Sequence, residues 1–149
     1  LVVCFFFVCR HRHKLAFSLY TCNHIATFTM RITAAFLAGF IATLDALEKH
    51  LCDGPYMRRY EAADDFGKPE TAFNICTFWR IDALARVDRV VEARAIFETM
   101  HRVRNPLGML SEDTHAVTGE MWGNYPQTYS MVGIINAAVR LSADWDTVI

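Results

Sequence analysis

The residues best equipped for chemistry lie in one stretch, LGMLSEDTHAVTGEMWGNYPQTYS, residues 107–130. It sets an acidic corner, Ser111, Glu112 and Asp113, in a glycine-rich loop. An aromatic and amide run from Trp122 to Tyr129 follows. A carboxylate on a loop can carry a proton. Aromatic faces take the C–H faces of a sugar, and amide and guanidinium groups bond its hydroxyls. Standing alone, a Glu after a Ser is a solvated carboxylate or a helix cap. Here Trp122, Asn124, Tyr125, Gln127 and Tyr129 all lie within eighteen residues of Glu112. That company raises the alternative of acid–base work on a glycoside beside the solvated or capping reading.

Upstream, Arg58-Arg59-Tyr60 offers a second set of polar groups. Arg59 reads either as a surface ion-pair partner of Glu61 or Asp64, worth little if exposed, or as a rigid fork of N–H donors for sugar hydroxyls. Asp64 and Asp65 either hold that loop or are simply solvated. Phe73, Phe78 and Trp79 stand at helical spacing, which places Phe78 and Trp79 in a core, with Phe73 at the helix start. Asn124, Gln127 and Tyr129 read otherwise as capping and packing at a helix entry. The group Cys4, Cys9, His11, His13, Cys22 and His24 contains metal-ligating types, but its spacings match no structural zinc pattern, so no metal is expected. The sequence has no phosphate-binding glycine loop, G-x-S-x-G or H-E-x-x-H.

The elements that must hold these residues are helices. Phe36, Phe40, Leu44, Leu47 and Leu51 form one face of a helix over residues 33–51, which Asp53-Gly54-Pro55 stops. A loop over residues 52–69 follows, with Pro69 in the first turn of a helix over residues 70–86. That helix is apolar over much of its circumference. Residues 90–103 give a third helix with Val91, Ala95, Phe97 and Met100 available for packing. Asn105-Pro106-Leu107-Gly108 ends it. A long loop runs to about residue 125, and a last helix covers residues 126–141. Asp144-Trp145-Asp146 opens a further one. No strand pair is apparent, so the fold class is all-α, built of antiparallel helical hairpins.

The hydrophobic fraction of 53% and charged fraction of 21% exclude disorder by composition. A net charge of −1 and one short basic group, residues 10–14, give no footprint for nucleic acid. The five cysteines are odd in number, irregular in spacing and without a C-x-x-C, which points to a reducing, cytoplasmic setting. No run reaches the ~20 apolar residues of a membrane span, and the charges follow the apolar residues 1–9 rather than precede them. No membrane partner is expected, an anchor in residues 1–28 being the alternative. Residues 1–30 hold no Asp or Glu and show no period. They read as an atypical segment outside the domain that residues 31–149 form.

Five blocks, RRYEAADDFG, FNICTFWRIDALARV, EARAIFE, NPLGMLSED and WGNYPQTYSMVGIINAA, occur in an order that resembles the C-terminal part of the family 15 glycoside hydrolases, the glucoamylase-like enzymes. The resemblance covers residues 36–145. It implies part of an (α/α)6 barrel and cleavage of α-glucosides with inversion, on an α-glucan or, in trehalase-type members, on trehalose. It implies Glu112 as the catalytic base and Arg59, Phe73, Asn124, Gln127 and Tyr129 as substrate-binding residues, with no cofactor. The family's acid lies well upstream of its base, and residues 1–35 contain nothing like it. The chain is therefore expected to be a C-terminal fragment, inactive alone, with unpartnered apolar surface on the helix over residues 70–86. A non-catalytic helical interaction module is the rival reading. It would not bring Glu112, Arg59 and Tyr129 together.

Overall fold

A computed structural model describes residues 23–65 and 67–142, with side chains from residue 34. The N-terminal segment up to residue 22, most of the Cys–His group and the helix expected after Asp144 lie outside the described residues. Packing divides the chain into two units, Leu1–Leu37 and Ala38–Ile149. All the expected site residues belong to the second.

Four helices dominate: α1 (Asn23–Leu51), α2 (Asn74–Arg86), α3 (Val90–Arg102) and α4 (Thr128–Leu141). Five short strands accompany them: β1 (Cys52–Asp53), β2 (Tyr56–Met57), β3 (Thr71–Phe73), β4 (Asp113–His115) and β5 (Met121–Trp122). The expectation of a purely α fold is thus corrected. β1 and β2 form a hairpin turning at Gly54, whose φ is +58°. β3, β4 and β5 make a three-stranded antiparallel sheet. Two- and three-residue strands carry too few residues for an alternation to register in sequence. Pro69 consequently lies before β3 rather than inside a helix.

The core forms where α2 packs between α3 and α4. Ile81, Leu84, Met100 and Leu110 are fully buried, joined by Phe78, Ile96 and Ala137. Gly133 lets α4 come close to α2: a Cβ there would stand 2.5 Å from Phe78 Cδ2. Phe78 is core as expected, whereas Trp79 is 51% exposed. On α3 Met100 is buried and Phe97 packs against the core as expected, whereas Val91 is 87% exposed, Ala95 is exposed, and Ala93 and Ile96 take the remaining buried positions. Of the α1 stripe only Leu44 is fully buried.

Charged side chains tie three helices together. Arg80 on α2 donates to Glu48 on α1 at 2.9 Å and reaches Glu92 on α3 at 3.5 Å. It also donates to the Gly54 and Pro55 carbonyls of the hairpin turn. Arg89 completes the set on Glu48 and Glu92. Where α2 ends, Asp88 adopts a left-handed φ of +67°, and the Arg89 N–H bonds the Leu84 carbonyl. This satisfies a carbonyl that the helix itself leaves open.

Candidate active site

The β3–β4–β5 sheet is the support for the acidic corner. β3 runs directly into α2, with Phe73 in extended conformation at the helix entry. No side chain caps α2; the Asn74 N–H donates instead to the Glu112 carbonyl at 3.0 Å. The Glu112 N–H donates to the Asn124 carbonyl at 2.8 Å. Glu112 is thus fixed on both sides by its main chain.

Behind it lies a buried polar network in which each member has a partner, as burial demands. Asn74 Nδ2 donates to the Ser111 carbonyl at 2.9 Å, and Ser130 Oγ donates to the same oxygen at 2.7 Å. Thr114 Oγ1 donates to Asn74 Oδ1 at 2.8 Å. Asn74, Ser111, Thr114 and Ser130 are all essentially inaccessible to solvent.

The Glu112 side chain enters a cavity of about 200 Å³. Arg59, Tyr60 and Phe73 line it together with Pro69, Thr71 and Asp113. Glu112 Oε2 accepts the Asn124 N–H at 3.2 Å and Asn124 Nδ2 at 2.8 Å. Among the described residues, Oε1 has no protein partner. The carboxylate is therefore held by one oxygen and presents the other. Gly123 makes this seat possible. Its φ is +77°, and a Cβ there would lie 3.0 Å from both Glu112 Cβ and Oε2.

Arg59 lays its guanidinium over the Phe73 ring, 5.5 Å from the centroid, a cation–π arrangement that leaves its N–H edge available. Tyr60 donates to Asp64, which holds the loop as one of the two readings of Asp64 proposed. Asp113 is half-buried, and Thr71 Oγ1 donates to its Oδ2 at 2.7 Å. Burial pushes the Asp113 carboxyl above the usual range; the Thr71 hydrogen bond opposes this, the Glu112 charge adds to it, and Arg59 opposes it.

Glu112, Arg59, Phe73 and Asn124 are thus brought together. Asn124 acts on the Glu112 carboxylate rather than on the cavity. Gln127 stands at the entry of α4, where its N–H donates to the Leu110 carbonyl, and it does not line the cavity. Tyr129 is 66% exposed on the first turn of α4, also away from the lining. Thr71 and Gly123 were not foreseen, nor was the hydrogen bond that joins Thr71 to Asp113 of the acidic corner. A usable signal was the glycine punctuation, Thr118-Gly119 and Gly123-Asn124, which brackets Met121-Trp122 as one arm of a hairpin. Among the described residues no group of His, Cys, Asp and Glu is arranged to hold a metal, and no helix is long and apolar enough to cross a membrane.

Comparison with known proteins adds a direction. The chain is 39% identical to the trehalase of Thermoplasma acidophilum over 103 residues, covering 68% of this chain and 18% of that protein. It is 36% identical to the trehalase of Thermoplasma volcanium, over 68% of this chain and 16% of the relative. With the trehalase of Mycobacterium tuberculosis it shares 29% identity over 102 residues, 66% of this chain and 15% of the relative. The chain therefore spans less than a fifth of the length of these relatives. No protein-family profile matches it, and no solved structure does.

Proposed function

We propose that this chain is the base-carrying, C-terminal portion of an inverting glycoside hydrolase acting on α-glucosides, with α,α-trehalose as the first substrate to test. The observation that carries the reading is the Glu112 carboxylate, clamped through one oxygen by Asn124 and presenting the other beside Arg59 and Phe73. The names of the relatives favour trehalose over a starch-type glucan. In this reading residues 31–149 belong to an (α/α)6 catalytic domain that the helices help to build, although α1 runs unbroken from Asn23 to Leu51 across the boundary expected at residue 30. The two free thiols described, Cys52 and Cys76, suit a cytoplasmic setting.

The chemistry follows from inversion. Glu112 Oε1 takes a proton from a water as that water's oxygen bonds the anomeric carbon. The glycosidic C–O bond breaks, and the leaving oxygen receives a proton from a carboxylic acid about 6.5–9.5 Å from the base. Asp113 adjoins Glu112 on the chain and is held by Thr71, which suits support better than protonation of a leaving group across the sugar. The acid accordingly belongs to another part of the enzyme. Arg59 binds hydroxyls of the ring that Phe73 faces.

In the intact enzyme, Glu112→Gln is expected to lower kcat for trehalose hydrolysis by roughly a thousandfold with little change in KM, since the loss is of proton transfer alone. Near-normal turnover by that variant would remove Glu112 from the role. The isolated 149-residue chain is expected to release no glucose.

A further inference from the structure

The cavity beside Glu112 measures about 200 Å³. Clefts that enclose drug-sized ligands run to about 300–1,000 Å³. Within this part of the enzyme the cavity is of the size of one sugar ring, and a second ring would extend beyond its lining residues. The sheet register shows what it would meet. Phe73 pairs with Asp113, Asp113 pairs with Trp122, and Thr71 pairs with His115. Alternation along a strand then puts Thr71, Phe73, Asp113, His115 and Trp122 on one face, while Ala72 and Thr114 are buried on the other. Three of the five, Thr71, Phe73 and Asp113, line the cavity. The other two continue the same face beyond it.

His115 and Trp122 are equipped for a sugar. Trp122, at the end of β5, is 47% exposed. The His115 ring lies 6.4 Å from the indole, tilted by 33°. His115 Nδ1 accepts the Val117 N–H at 3.3 Å and the Thr118 N–H at 3.1 Å. A nitrogen accepting two N–H groups carries no proton, so in the neutral ring the proton sits on Nε2, a donor. Nε2 has no hydrogen-bond partner among the described residues. Asp113 Oδ1 likewise accepts nothing there, Oδ2 being taken by Thr71. An aromatic face, a fixed donor and an open acceptor therefore share one small surface.

We propose that this outward sheet face, Trp122 and His115 beside Asp113, is the subsite for the second sugar ring of a disaccharide whose first ring fills the Glu112 cavity. The proposal rests on the glycosidase reading and extends it to the far side of the scissile bond. The ring's C–H face stacks on the indole, and its hydroxyls meet His115 Nε2 and Asp113 Oδ1.

The test is calorimetric titration of glucose and of α,α-trehalose into the intact protein carrying Glu112→Gln, which prevents turnover. Adding Trp122→Ala is expected to weaken trehalose roughly three- to tenfold and leave glucose unchanged, the span of one aromatic contact. Trp122→Phe keeps a stacking face and is expected to recover most of the loss, which a general unfolding would not allow. If Trp122→Ala leaves the ratio of the two affinities unchanged while Arg59→Ala still weakens glucose, the subsite is overturned and the glycosidase reading stands. If neither sugar binds, both fall.

Discussion

The Glu112 carboxylate is seated by a neighbour that has no side chain. A methyl group at Gly123 would press on Glu112 Cβ and Oε2 at 3.0 Å and would sit at a φ of +77°. Gly123→Ala is expected to cost about 1 kcal/mol in stability from the backbone alone. Turnover should suffer more, falling at least roughly tenfold, because a displacement of about 1 Å in a reacting group is worth up to a hundredfold. Steady-state kinetics beside a urea melt separates the two; an unchanged kcat would mean that the seat does not matter. Asp113 yields a pH prediction. Burial raises its folded pKa above the unfolded value. Stability linked to such a group is fully present below the unfolded carboxylate range and is lost as pH rises through the folded value. Asp113→Asn cannot ionise, so its stability relative to wild type should improve between about pH 3 and pH 7. Urea melts across that window check the slope, and parallel curves would contradict it. At this scale residue type and company raised Glu112, and the family resemblance selected it together with Arg59 and Phe73. The sequence hid Thr71 and its bond to Asp113, because that pairing depends on a strand register forty-two residues apart in the chain.

The contact of α2 with α4 is set by one glycine. Ala is the better helix former by up to about 1 kcal/mol. At Gly133, however, the new methyl would meet Phe78 Cδ2 at 2.5 Å and Cγ at 2.8 Å, in a ring that is fully packed. Overpacking wins, and Gly133→Ala is expected to destabilise by about 1–3 kcal/mol. Gly39→Ala, within α1 and with nothing within 4 Å of the added Cβ, is the control and should stabilise. Denaturant melts of the pair give opposite signs if the reasoning holds. Three of the four helices were legible to within a few residues, because apolar spacing over a dozen residues is a strong signal. The strands were not. Thr71-Ala72-Phe73 has a single alternation, and its partner Asp113-Thr114-His115 contains no apolar residue at all.

For the molecule as a whole, the helix expected to show unpartnered apolar surface is the one most enclosed. On α2, Ile75, Phe78, Ile81 and Leu84 are buried and Trp79 alone of its large apolar side chains is exposed, whereas α4 exposes Tyr129, Val132, Ile135 and Val139. Sequence could not assign these faces. α4 is apolar around its circumference, with Ile134 buried and Ile135 exposed side by side, so periodicity names no inner side. What closes the core is also non-local: Arg80 reaches Glu48 thirty-two residues back, and Arg94 reaches the Leu141 carbonyl forty-seven residues on. Such links follow from the path of the chain and leave no mark in a local window.

The main-chain bonds of Glu112, its carbonyl to Asn74 and its N–H to Asn124, owe nothing to its side chain. Folding and chemistry at this residue are therefore separable. If the proposed role holds, the intact protein carrying Glu112→Gln is expected to keep its architecture and become a trap, able to hold an uncleaved glycoside long enough for the occupied site to be seen directly.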